Sequence, residues 1–135
     1  MKTKKRTLVV DDDLAILNFI RVSLSMAGYE VITATNGEAA LKLVDSNKPD
    51  IMVLDLAMLP MTGFEVLERL RGFSEMPVII SSARSDVACQ AMQAGANGFV
   101  AKPFRPEHLI QKIQEILVLT RPERKLQFSA SSLAA

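Results

Sequence analysis

Five residues carry the chemistry this sequence offers: Asp11, Asp12, Asp55, Ser82 and Lys102. Asp55 closes the run Ile51-Met52-Val53-Leu54, and those consecutive apolar residues predict a strand buried on both faces. Carboxylates that converge on one point repel one another, so ionising Asp11, Asp12 and Asp55 together requires a cation or a base among them. Oxygen donors with no His or Cys nearby favour a hard ion. Mg²⁺, with Mn²⁺ as its substitute, keeps several waters and bridges to phosphate. A carboxylate is a weak nucleophile, but beside such an ion Asp55 is expected to take a phosphoryl group as an aspartyl-phosphate. Lys102 adds a mobile positive charge, and the Ser82 hydroxyl can donate to a phosphoryl oxygen.

Each of these residues has an ordinary reading when taken alone. Asp13, and even Asp12, suits a helix cap, and Asp13 is assigned that role. Asp55 alone is a strand-end carboxylate, Ser82 a turn residue and Lys102 a solvated charge. Phe99 is a core residue by default, and Cys89, on the side of Met92, is expected to pack. What separates the five is position, because the elements around them bring all of them to one edge.

Those elements alternate. Thr7–Val10 is a short β-rich run, and Ile16, Leu17, Ile20, Leu24 and Ala27 recur at helical spacing until Gly28 stops them. Residues 30–35 predict a second strand, and Asn36 caps a helix carrying Ala40, Leu41 and Val44. After the Ile51–Leu54 strand, a helix over 63–71 places Phe64, Leu67 and Leu70 on one face. Residues 77–81 predict a fourth strand, and Ser85 is expected to cap a helix with Val87, Ala88, Ala91 and Met92 on its small face. Residues 98–101 form a last strand. Pro106 opens a final helix with the stripe Leu109, Ile110, Ile113, Ile116 and Leu117. Alternating strands and helices imply an open α/β fold with a parallel sheet covered on both faces, and its ligands bind outside the carboxyl ends of the strands. All five chemical residues fall at those ends.

Composition bounds the rest. At 135 residues and 49% hydrophobic, the chain is long enough for one core and too short for two ordinary domains. Sixteen Lys and Arg against 15 Asp and Glu give no general field for nucleic acid or an anionic membrane, so neither is expected as a direct partner. Lys2, Lys4, Lys5 and Arg6 make residues 1–6 a basic N-terminal extension before the domain. A single cysteine, Cys89, allows no intramolecular disulfide and fits a reducing compartment, taken as the cytoplasm. No signal-peptide core or membrane-span-length apolar run is present.

The motifs Leu8-Val9-Val10-Asp11-Asp12-Asp13, Val53-Leu54-Asp55-Leu56, Val78-Ile79-Ile80-Ser81-Ser82-Ala83 and 95–104, ending Lys102-Pro103-Phe104, stand in an order and spacing that resembles a response-regulator receiver domain of two-component signalling, the CheY-like superfamily. The resemblance covers residues 7–119. It implies a flavodoxin-like, doubly wound (βα)5 three-layer sandwich with strand order 2-1-3-4-5. It further implies that Asp55 is the phosphoacceptor and that Asp11 and Asp12, with the Ala57 carbonyl, hold Mg²⁺. Ser82 is then the switch hydroxyl, Lys102 the phosphate-binding lysine and Phe99 the aromatic that moves with Ser82, and the Lys102–Pro103 bond is cis. A sensor histidine kinase or a histidine phosphotransfer protein is the implied donor, and the α4-β5-α5 surface, the fourth helix through the fifth, passes the signal to a target or output domain that the sequence does not identify.

Several positions depart from the family pattern. Leu59 stands where proline is common after the phosphoacceptor, and Pro60 follows one residue later, so the path from Ala57 to Thr62 is expected to change. Ala57 and Arg84 occupy the two positions that influence hydrolysis in this family, and because an alanine side chain cannot orient an attacking water, slow self-dephosphorylation is expected. Asn97-Gly98 replaces the Asp-Asp of receivers that feed winged-helix DNA-binding domains, which counts against that output and its dimer without closing off a phosphorylation-dependent dimer. Residues 120–135 read as a linker or disordered tail. The sequence leaves open whether the receiver stands alone or is cut from a longer regulator. Two other classes fit poorly. A Mg²⁺-dependent aspartyl-phosphate hydrolase needs an acid/base Asp at position 57, and a flavin-binding domain needs flanking aromatics, where this chain has one Tyr and no Trp.

Overall fold

The structure, a computed structural model, describes residues 4–120. The elements run β1 (Arg6–Val10), α1 (Leu14–Met26), β2 (Glu30–Ala34), α2 (Gly37–Asn47), β3 (Ile51–Asp55), α3 (Gly63–Arg71), β4 (Val78–Ser82), a 3-10 turn (Ser85–Val87), α4 (Ala88–Gln93), β5 (Gly98–Ala101) and α5 (Pro106–Leu119). The strands are all parallel and lie in the order β2-β1-β3-β4-β5, so the sheet is of the flavodoxin type.

Side chains on a strand alternate between faces, and this rule divides the core in two. Leu8, Val10, Met52, Leu54, Val78 and Ile80 pack beneath Ala40, Val44, Val66, Leu67, Leu70, Val87 and Ala91, which belong to α2, α3 and the turn and helix α4. Val9, Ile51, Val53, Ile79 and Val100 pack on the opposite face against Leu17, Ile20, Leu24, Leu109, Ile113 and Ile116 of α1 and α5. Every residue of β3 is buried, as expected for a central parallel strand with helices on both sides. The order reverses between β1 and β3, which are hydrogen-bonded although β2 lies between them in sequence. That reversal puts the end of β1 next to the end of β3 and opens a crevice over both.

Caps set the loops around this crevice. The Asp13 side chain accepts from the amides of Ala15 and Ile16 and starts α1. Thr62 caps α3 by accepting from the Glu65 amide at 3.2 Å, and the Thr62 hydroxyl reaches back to the Glu65 carboxylate. Helix α3 therefore begins at Gly63 in spite of the displaced proline. In the loop before it Met58 and Met61 are buried and Leu59 is exposed, and the Leu59–Pro60 bond is cis, as is Lys102–Pro103.

Three expectations are corrected. Ser85 does not cap a helix: it opens the 3-10 turn, for which Arg84 is the flanking residue, and no side chain makes a cap bond there. Cys89 and Met92 do not pack. Both are exposed on α4, whose only fully buried residue is Ala91, because this short helix covers the sheet near its β5 edge and has one narrow contact line. Arg6 belongs to β1 and not to a free extension: it pairs with Glu30 at 3.1 Å, and its amide donates to Asp50. From residue 121 onward the expected tail lies outside the described residues.

Candidate functional site

Strand register builds the site. Val10 pairs with Leu54, so the next residues, Asp11 and Asp55, stand side by side at the ends of β1 and β3. Oxygens of Asp11, Asp12 and Asp55 lie within 4.8 Å of one another. Asp11 and Asp55 are buried, while Asp12 is exposed at the rim. The Asp11 Oδ1 also accepts from the Asp13 amide at 2.9 Å, which fixes the carboxylate at the start of α1.

Lys102 follows β5 and crosses the sheet edge to reach this cluster. Its ammonium donates to Asp11 Oδ2 at 2.8 Å and to Asp55 Oδ1 at 3.3 Å. Burial alone would lower the lysine pKa, but the two carboxylates outweigh it and hold the group above its ordinary value. Asp55 moves upward from the usual carboxylate range. Burial is the largest cause, and the neighbouring Asp11 charge acts in the same direction. The Lys102 charge and the amide of Ala57, which donates to the carboxylate, offset only part of it. The site thus holds an acid that resists ionisation, next to another acid and under a single cation.

Ser82 ends β4 and is buried. Its hydroxyl accepts from the Arg84 amide at 3.0 Å, and its carbonyl accepts from the Lys102 amide at 2.8 Å, so the two strand ends are laced together. Phe99 pairs with Ile80 across β4 and β5 and is half-buried against the α2–α4 side of the core. By alternation Ser82 lies on this same side. Ala57 is exposed beside Asp55, and Arg84 turns outward to pair with Asp86 at 2.7 Å. An apolar cavity of about 280 Å³ adjoins the cluster, lined by Ile16, Phe19, Ala83, Lys102, Pro103 and Phe104.

The sequence-predicted residues Asp11, Asp12, Asp55, Ser82 and Lys102 all come to one edge. Gly63 is a residue that sequence reasoning placed only as a helix start. A Cβ there would collide with the Asp55 carbonyl oxygen and lie 2.7 Å from the Leu56 Cα, and the Gly63 amide donates to the Leu56 carbonyl at 3.1 Å. The start of α3 therefore rests directly on the backbone of the phosphoacceptor candidate. Only its place eight residues after Asp55 hinted at this.

The donor set suits a hard divalent cation. It is all oxygen, contains two buried carboxylates and is short of positive charge.

Comparison with known proteins agrees with this geometry. The transcriptional regulatory protein KdpE of Mycobacterium tuberculosis is 41% identical over 109 residues, which cover 79% of this chain and 48% of KdpE. The chain spans about half the length of the curated relatives it matches. The receiver domain of Francisella response regulator 1452 superposes with a TM-score of 0.82 at 30% identity, covering 87% of this chain and all of that one. The response regulator TrrA of Thermotoga maritima, solved in complex with Mg²⁺-BeF, gives 0.76 at 34% identity over 82% of this chain and 97% of that one. A sequence model of the response regulator receiver domain matches residues 7–114, and the chain belongs to that family.

Proposed function

We propose that this domain is a phosphorylation-dependent switch in which Asp55 accepts a phosphoryl group from the phosphohistidine of a sensor kinase or phosphotransfer protein. The observation that carries this reading is the Lys102 ammonium bridging Asp11 and Asp55 at the crevice between β1 and β3. In the transfer the donor P–N bond breaks, a bond forms from an Asp55 carboxylate oxygen to phosphorus, and the imidazole leaves with its electron pair. Asp11, Asp12, Asp55 and the Ala57 carbonyl would hold Mg²⁺ or Mn²⁺, which when bound neutralises charge on the phosphoryl oxygens.

The protein's own groups do the rest. Lys102 favours the ionised form of Asp55, offsetting part of its burial, and follows the new negative charge. The Ser82 hydroxyl, free to donate while it accepts from Arg84, turns toward a phosphoryl oxygen. That movement clears space for Phe99 on the same side of the sheet and biases α4 and β5 between two packings. The domain is regulatory and takes part in its own phosphotransfer and dephosphorylation. Among the described residues no helix is long and apolar enough to cross a membrane, and the switch is assigned to the cytoplasm. The curated relatives that are transcriptional regulators favour an output at DNA through a further domain, whereas Asn97-Gly98 argues for a different dimer surface.

The test is the mass of the intact protein after incubation with Mg²⁺ and acetyl phosphate, for wild type and Asp55→Ala. One phosphoryl adduct is expected, requiring Mg²⁺ and absent from the variant. No adduct from either acetyl phosphate or a phosphohistidine donor, under conditions that label another receiver domain, would sink the reading.

A further inference from the structure

We infer that Ser81, which the transfer described above does not use, is a positioning residue of the site: its hydroxyl is the acceptor that holds the Lys102 ammonium over Asp55 once Asp11 is engaged by a cation. The inference rests on the phosphoacceptor reading of Asp55. Ser81 is the register partner of Asp55 in β4, and Val100 is the partner of Ser81 in β5. Val53, Ile79 and Val100 all face α1 and α5, so alternation sends Asp55 and Ser81 to that same face. Lys102 starts from the end of β5 and makes its bonds on β3 and β1. Neighbouring strands are about 4.8 Å apart, so its side chain must pass over the end of β4 to get there. The residue of β4 that faces this path is Ser81.

Ser81 is buried, and its Oγ has no hydrogen-bond partner among the described residues. A buried hydroxyl without a partner is uncommon, because it loses water and gains nothing. An ammonium carries three donors, and Lys102 commits two of them, to Asp11 and Asp55. A spare donor and a spare acceptor therefore share one strip of the sheet. Ser82 cannot fill the same place, since it lies on the other face and its hydroxyl already accepts from Arg84. When Asp11 gives its oxygen to a cation, the shorter of the two Lys102 bonds weakens. Ser81 then supplies a neutral acceptor on that strip, which keeps the ammonium beside Asp55 and does not draw it back toward β1.

The experiment uses Mg²⁺ with beryllofluoride as the probe, on wild type, Ser81→Ala, Ser81→Cys and Ser81→Thr. Thermal melts of the unloaded proteins and beryllofluoride titrations at saturating Mg²⁺ are read together. Ser81→Ala should melt at or above wild type when unloaded, because a partnerless buried hydroxyl has been removed, yet bind beryllofluoride about fivefold more weakly, the loss of one ordinary hydrogen bond. Ser81→Cys, close in size and a poor acceptor, should show the same weakening and carries the test if the alanine variant does not fold. Ser81→Thr should bind as wild type. Unchanged affinity in the alanine and cysteine variants would overturn the role of Ser81 and leave the phosphoacceptor reading intact, as would a threonine variant as weak as alanine. A wild type that binds no beryllofluoride would overturn both.

Discussion

The Lys102 ammonium lies 2.8 Å from Asp11 and 3.3 Å from Asp55, and it is the only cation among the described residues that pairs with either carboxylate. Removing one partner of a largely buried ion pair leaves the other partner uncompensated, which costs more than the pair itself contributes. Lys102→Met is therefore expected to lower stability at neutral pH by about 1–3 kcal/mol. Mg²⁺ should raise the melting temperature of this variant more than that of wild type, because the cation enters a cluster with no internal positive charge. Melts with and without MgCl₂ check both parts. An equal Mg²⁺ response in the two proteins would show that Lys102 does not compete for the site.

The same pair predicts a pH dependence with opposite signs at its two ends. Lys102 has a raised pKa in the fold, so the stability from its ion pairs is complete below the ordinary lysine value and is lost as pH rises through the raised one. Asp55 is also raised, and for an acid this means the folded protein binds the proton more tightly than the unfolded chain. Lowering pH through the raised value toward the ordinary carboxylate value should therefore gain stability from Asp55. Asp55→Asn, which is neutral at every pH, should melt above wild type at pH 7 and remove that acid-side gain. Urea midpoints measured across pH for wild type and variant decide it.

Gly63 offers a test that leaves every charge in place. In Gly63→Ala the new Cβ would meet the Asp55 carbonyl oxygen and the Leu56 Cα, both backbone atoms that cannot swing aside. Overpacking of this kind costs about 1–3 kcal/mol, and the relief would have to come from the end of β3 at Asp55 and the loop after it that carries Ala57. The variant should lose stability in urea and also form the phosphoryl adduct from acetyl phosphate more slowly. Normal phosphorylation in a destabilised variant would mean that the loop relaxes away from the acceptor.

Most of the fold was legible because a parallel sheet writes its strands as unbroken apolar runs and its helices as stripes at a different period. Once Ile51–Leu54 and Val78–Ile80 are read as strands, Asp55 and Ser82 fall at their ends without further information. The errors lie where tertiary approach decides. Met92 and Cys89 look apolar in sequence, but α4 contacts the sheet along a line only wide enough for Ala91. Ser85 has the right side chain for a cap, yet the chain after Ser82 is set by the Arg84 amide bonding to the Ser82 hydroxyl, and a 3-10 turn results. Gly63 and Ser81 matter through neighbours that are distant in sequence or on another strand. The spacing from Asp55 is the one local hint for Gly63, and no local pattern marks Ser81.

The exposed pair of Arg84 with Asp86 bears on how long the switch stays on. Ala57, next to Asp55, has no group that can orient water, and Arg84 is turned outward to Asp86. Neither residue then assists hydrolysis of an aspartyl-phosphate, and a long-lived phosphorylated state is expected. Ala57→Asn places a carboxamide where it can hold a water in line with phosphorus, and it should shorten the lifetime roughly tenfold, about 1.4 kcal/mol off the barrier. The measurement is the decay of the phosphoryl adduct by intact mass after removal of acetyl phosphate. An adduct that decays more slowly in Ala57→Asn would show that shielding, and not missing water orientation, limits hydrolysis at this site.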